Sequence, residues 1–303
     1  MLSISTVTTC FNEEKTIGRA INSITKQTSY DEIHKIYIVD DGSTDNSHEV
    51  IKELARKEKK ISYIYQENSG LAAARNVALN LIDSDLIAFL DGDDYWDEKK
   101  LETFVDEIAL HPEAGLYYSS YYEIVGESRR LVKPNQFSVG DKNQLYHFLA
   151  KGGPIIPSTA VITNKCRNKV GLFNKKFPVA QDAEYWLRIC SEMPIHYIDS
   201  ALTYKVKLIN SLGSNRPEKV KYIKLAMEMF IDNNPSLRSA MKIRKSKLER
   251  WLGSYHLRNG SYMASLINGA SSLSYDITNL KAFKLITVAL IRILLSFFYL
   301  TKK

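Results

Sequence analysis

Carboxylates in this 303-residue chain gather at a few places where they could do chemistry together. Asp91, Asp93 and Asp94 stand within four residues, directly after the apolar run 86–90. Acids so close repel one another unless a cation sits among them. All-oxygen ligands suit a hard ion such as Mg2+ or Mn2+; a solvated acidic turn is the plain alternative. Asp40 and Asp41 end a second apolar run, 35–39, and open a turn in which Ser43 or Thr44 could cap the next helix. Asp182 and Glu184 begin an apolar-periodic stretch, where a carboxylate could serve as a general base or only complement a helix dipole. Arg75 and Asn76 sit on the small-residue stretch 70–76, from which Arg75 could face a carboxylate or a phosphate.

The elements that must position these groups alternate. Segment 4–9 is β-branched and reads as a strand; 13–25 reads as a helix, with Ile17, Ala20, Ile21 and Ile24 on one face and acids in its first turn. Strands at 35–39, 61–65 and 86–90 then alternate with helices at 44–57 and 71–81. This alternation predicts a mostly parallel α/β sheet flanked by helices, with ligands collected at the strand C-terminal ends. Further on, 116–125 and 195–204 read as strands and 183–193 as a helix. After Asn215 the pattern is helical, over 217–233, 237–258, 262–273 and 280–300.

Five blocks in order carry a family resemblance: Thr9-Cys10-Phe11-Asn12-Glu13, Asp40-Asp41-Gly42-Ser43, Asn68-Ser69-Gly70 through Arg75-Asn76, Asp91-Gly92-Asp93-Asp94, and Gly171-Leu172-Phe173 with Gln181-Asp182-Ala183-Glu184. Together they resemble the family 2 glycosyltransferases of the GT-A fold, of bacterial surface-polysaccharide type. The resemblance implies a Rossmann-like GT-A domain over 1–213, nucleotide-binding in 1–100 and acceptor-binding in about 101–213, followed by a basic helical region over 214–303. It implies an inverting transfer from a UDP-sugar to a hydroxyl of a glycan acceptor, lipid-linked in surface-polysaccharide synthesis. Thr9, Phe11 and Glu13 would line the uracil and ribose pocket, Asp41 would accept from uracil N3, Arg75 would lie near the nucleotide, orienting Asp41 or the phosphates, and Asp91 would approach the ribose. Asp93 would hold Mn2+ or Mg2+, and Asp182 would be the base, with Glu184 as the competing carboxylate. Two departures stand out: Gln181-Asp182 replaces the usual Glu-Asp, and Lys205 and Lys207 stand where relatives commonly carry arginine and histidine. Lys207 would therefore pair with the diphosphate as an ammonium rather than ligate the metal. An inactive nucleotide-sugar-binding scaffold is the second reading, and a sugar-nucleotide pyrophosphorylase a third.

Composition narrows the setting. With 45% apolar and 25% charged residues the chain is neither disordered nor polytopic. Cys10, Cys166 and Cys190 make no disulfide framework or zinc pattern, and the N-terminus has no basic-then-apolar leader, so a cytoplasmic setting is expected. Residues 1–200 carry net −6 and residues 201–303 net +13. No nucleic-acid motif accompanies the basic half, so nucleic acid is not an expected partner. Segment 285–300 has only Arg292 charged, and its sixteen residues reach about 24 Å, short of a roughly 30 Å hydrocarbon core. With Lys281, Lys284, Lys302 and Lys303 around it, it reads as an amphipathic helix on an anionic membrane surface, placing the protein peripherally on the inner face of the cell membrane. A packed oligomer interface is the alternative.

Overall fold

The computed structural model describes residues 2–152, 155–207, 216–231 and 234–300. The expected boundary at 213, together with Lys302 and Lys303, lies outside the described residues. The chain divides into two compact units, Met1–Gln144 with Gly153–Ser211, and Leu145–Gly152 with Leu212–Lys303.

The first unit is built on a nine-stranded sheet of order β3-β2-β1-β4-β8-β6-β9-β5, with β7 paired to β6. Its parallel half comprises β1 (Ile4–Cys10), β2 (Ile33–Asp41), β3 (Ile61–Gln66) and β4 (Leu86–Asp91). β1 is buried along its whole length, as a central strand covered on both faces must be. Register sets Thr9 beside Val39 on one side and Asp91 on the other, and Asp41 beside Gln66. The polar strand ends therefore share one edge of the sheet. The other half is mixed: β8 (Ala160–Thr163) runs antiparallel between β4 and β6 (Leu116–Val125), which lies parallel to β9 (Ile195–Val206). The short β5 (Tyr95–Trp96) and β7 (Ser128–Val132) are antiparallel additions to β9 and β6.

The helices α1 (Ile17–Thr25), α2 (Ser47–Lys57), α3 (Leu71–Leu79), α4 (Lys100–Leu110), α6 (Asn164–Val170) and α7 (Gln181–Glu192) flank this sheet. Ile17, Ile21 and Ile24 of α1 join Ile36, Ile38, Ala88, Leu90 and Phe104 in one core. Two local expectations are corrected. Helix α1 starts at Ile17 and has no acid in its first turn, because the Glu13 and Glu14 amides donate instead to Ser47 Oγ at 2.8 Å and Asp45 Oδ2 at 3.0 Å. Helix α2 has Asn46 at its N-cap without a side-chain cap bond. The Ser43 hydroxyl is taken by the Asn12 amide at 3.0 Å, and the Thr44 amide donates to Asn12 Oδ1 at 2.7 Å.

The second unit contains α5 (Gln144–Lys151, from Leu145 on), α8 (Arg216–Ile231), α9 (Arg238–Arg258), α10 (Tyr262–Tyr275) and α11 (Leu280–Leu300). Helix α9 packs against α8, α10 and α11. Its basic residues are not all on a solvated face. Lys247 Nζ donates to Ala150 O at 3.0 Å and Arg244 Nη1 to Lys151 O at 3.4 Å, so two cations cap the carbonyl end of α5. Gly152, at φ +69°, leaves the space for that guanidinium, since a Cβ there would stand 2.2 Å from Arg244.

Candidate active site

Strand ends and loops bring six charged side chains together at the C-terminal edge of the parallel half. Asp91 ends β4, its amide held by Ser158 Oγ at 3.1 Å, and its Oδ1 accepts from Arg75 Nη2 at 2.6 Å. Arg75 rises from α3, is 2% exposed, and lies over the Phe173 ring at 5.4 Å. It pairs with Asp91 rather than with Asp41. Asp93 is fixed through its backbone, whose carbonyl accepts from Arg19 Nη2 at 2.9 Å. Asp94 is fully buried, accepting from Ser158 Oγ at 2.6 Å and from the Val206 amide at 3.0 Å, so it ties the loop after β4 to the end of β9.

Glu13 reaches the same cluster from the loop after β1. Its Oε2 is sealed from solvent with no hydrogen-bond partner, and only the Cys10 thiol, a weak donor, eases its charge. Gly92 makes the approach feasible, because a Cβ there would stand 2.0 Å from that oxygen. Burial, then repulsion from Asp93, Asp91 and Asp94, raises the Glu13 carboxyl well above the usual range. Burial, with Asp91 beside it, raises Asp93 to about 6, and burial raises Asp94 to about 7. Lys205 sits among these acids: burial disfavours its charge, but Asp94, Asp91 and Asp93 outweigh that and hold its ammonium protonated. An orphaned buried carboxylate oxygen beside acids raised by mutual repulsion fits a hard divalent cation.

Beside this cluster lie the ends of β1 and β2, with Thr9 and Cys10 in register with Val39 and Asp40. Thr9 is buried, while Phe11 is 44% exposed, a large ring open to a ligand. Asp41, 3% exposed, accepts from Gln66 Nε2 at 2.6 Å and from the amides of Ser69 at 2.8 Å and Gly70 at 2.9 Å. A carboxylate offers about four lone pairs, so one acceptor position remains.

Asp182 and Glu184 share the first turn of α7 but differ in environment. Glu184 is 2% exposed and locked to Arg188 by bonds of 2.7 and 3.0 Å. Asp182 is partly exposed, and its Oδ1 accepts from the adjacent Ala183 amide at 2.8 Å. Trp186, one turn on and on the same face, meets Phe89 of β4 edge-on at 6.1 Å. Lys207 is exposed, its amide donating to Ile124 O at 2.9 Å. Arg19, Ser158 and the anchoring role of Asp94 carried no signal in the sequence, since each acts across long chain separations.

At the opposite edge of the sheet, Glu107, His111 and His196 bring one ligand atom each to within 4.8 Å. The two imidazoles are stacked, centroids 4.0 Å apart at 30°, so their in-plane lone pairs run side by side instead of converging on an ion. His196 Nε2 is 3.2 Å from Glu107 Oε2, and burial followed by the His111 charge lowers its pKa. The trio is a hydrogen-bonded stack.

A strand-end carboxylate cluster beside an open ring, on a sheet of this order, defines the GT-A architecture. Solved structures agree: the chain matches residues 1–349 of TarS from Staphylococcus aureus in complex with UDP-GlcNAc, with TM-score 0.65 and 17% identity, covering 90% of this chain and 81% of that one. It also matches mannosyltransferase PcManGT from Pyrobaculum calidifontis in complex with GDP-Man and Mn2+, with TM-score 0.61 and 17% identity over 96% of this chain and 87% of that one. The family model Glycosyl transferase family 2 matches residues 5–165, and the chain belongs to that family. Glycosyltransferase GlyA of Streptococcus pneumoniae is 36% identical over 135 residues, 41% of this chain and 19% of that protein. The chain spans 19 to 35% of the length of the first curated relatives it matches.

Proposed function

We propose that this chain is an inverting glycosyltransferase that moves a sugar from a UDP-sugar to a hydroxyl of a glycan acceptor, lipid-linked, in cell-surface polysaccharide synthesis at the inner face of the membrane. The observation that carries the reading is the convergence of Glu13, Asp91 and Asp93 beside the strand ends that carry Phe11 and Asp41. A uridine donor is supported by the UDP-GlcNAc bound to TarS, and a divalent ion by the Mn2+ in the mannosyltransferase complex.

Phe11 would stack on the base, within a pocket floored by Thr9, and the remaining lone pair of Asp41 would accept from uracil N3. Arg75, bonded to Asp91, would hold it toward the ribose and donor sugar. Asp93, with Glu13 and Asp91, would hold Mn2+ or Mg2+, which would supply positive charge against the departing diphosphate. Lys205 and Lys207 would add positive charge on the leaving-group side. Asp182 would take the acceptor hydroxyl proton as its oxygen bonds to the anomeric carbon and the bond to diphosphate breaks. Glu184, occupied by Arg188, positions α7 instead of accepting that proton.

The test is release of UDP from a panel of nucleotide sugars in Mn2+, with and without EDTA. One UDP-sugar should be hydrolysed slowly and EDTA should stop it. A rate untouched by EDTA removes the metal from the mechanism. No turnover with any donor, despite UDP binding, favours the inactive scaffold.

A further inference from the structure

Helices α10 and α11 are built inside out. Their inward faces are mostly small: Ser265, Gly269 and Ser272 on α10, and Ala282 and Ala289 on α11 with Leu285 between them, are buried. Gly269 lets the helices approach, since a Cβ there would stand 2.6 Å from Ile286 Cγ1. Polar bonds secure the interior. Ser272 Oγ donates to Ser246 O at 2.8 Å, Asn279 Nδ2 to Ser246 Oγ at 3.0 Å, and Asn268 Nδ2 to Glu249 Oε2 at 2.7 Å.

Apart from Leu285, the large apolar side chains lie mostly on the other side. Met263 and Ile267 of α10 are 59 and 62% exposed, and Ile277 and Leu280 at the turn 70 and 79%. Phe283, Leu290, Ile291, Leu294 and Leu295 of α11 are all exposed. A helix serving only a water-soluble core turns its large apolar residues inward. Small and polar residues inside with large apolar residues outside is the order found where lipid is the outer solvent.

Charge identifies the occupant. Helix α10 has no charged residue, and those of α11, Lys281, Lys284 and Arg292, are all cationic and exposed. At 100° per residue Lys281 and Arg292 border the exposed apolar face of α11, and Lys284 falls just inside that border, between Ile291 and Leu295. Among the described residues no helix is long and apolar enough to cross a membrane.

We infer that the α10–α11 hairpin, rather than α11 alone, is the seating surface of this protein on an anionic bilayer. Both helices lie in the interface, with Lys281, Lys284 and Arg292 at the level of acidic headgroups. The inference rests on the reading of a lipid-linked acceptor, and adds the surface that brings the enzyme to it.

The experiment is co-sedimentation of the full chain with phosphatidylcholine vesicles, with or without phosphatidylglycerol. Wild type should pellet with the anionic vesicles, at least tenfold less with neutral ones, and less in high salt. Met263→Glu/Ile267→Glu on α10 and Leu290→Glu/Leu294→Glu on α11 should each weaken binding at least tenfold. All four positions are exposed, so melting temperature and UDP release in solution should stay at wild-type values. Loss of UDP release with retained pelleting would sink the enzyme reading and leave the surface standing. Wild type remaining in the supernatant, or the α10 variant pelleting like wild type, overturns the hairpin inference. A wild-type dimer that these variants convert to monomer, without vesicle binding, would assign the face to a second copy.

Discussion

Two carboxylates two residues apart in sequence meet different fates because of what surrounds them. Glu184 is neutralised by the half-buried Arg188, whereas the partly exposed Asp182 accepts through Oδ1 from the adjacent Ala183 amide at the start of the same helix. Asp182→Asn preserves shape but removes proton acceptance, so turnover should fall by roughly 10²–10⁴ while UDP affinity changes little. Glu184→Gln should mainly lower the melting temperature, because it leaves the half-buried Arg188 charge with only the Val170 and Leu172 carbonyls and no carboxylate. Turnover lost in Glu184→Gln and kept in Asp182→Asn would reverse the assignment. For the cation, Asp93→Ala should weaken UDP binding in Mn2+ and nearly abolish turnover. Calorimetry of UDP with Mn2+ and then with EDTA checks this, since equal losses in both conditions would detach Asp93 from the ion.

At the scale of elements, the loop after β4 is the hub, because Asp94 bonds both Ser158 and the end of β9. Helix α4 follows this loop and hides a group that chemistry does not use. Lys100 is fully buried with one carbonyl, Thr159 O, at 3.4 Å and the Phe104 ring 3.9 Å away. Burial lowers its pKa well below 10.5. In the window between that lowered value and 10.5 the unfolded chain binds a proton that the folded chain does not, so stability should rise with pH there. Lys100→Met keeps the length of the side chain and should stabilise by about 1–3 kcal/mol at neutral pH while flattening that slope. Urea titrations at several pH values measure both effects, and an unchanged slope would mean that Lys100 is charged in the fold.

For the whole molecule, the second unit depends on its last helix for core as well as surface. Ala282, Leu285 and Ala289 are buried inside it, and Gly253 packs so close that a Cβ would stand 2.6 Å from Leu285 Cδ2. Deleting residues from 281 onward should therefore lower the melting temperature and promote aggregation, while UDP release persists because the assigned site residues lie in the first unit. Loss of UDP release in the still-folded truncation would show that the first unit needs the second. The sequence by itself determined the alternation of β1 to β4 with their helices, the C-terminal helices and the carboxylates at strand ends, because periodicity and turn chemistry are local. Helix α11 matched its expected span, and β6 did as well. The short β5, β7 and β8 escaped notice because two to five residues carry too little period to separate from a loop. Only the tertiary structure decided that Arg75 serves Asp91, that Lys205 lies among the acids, and that Arg244 and Lys247 cap α5. Each of those choices joins residues far apart in the chain, where desolvation selects a partner that no local pattern encodes.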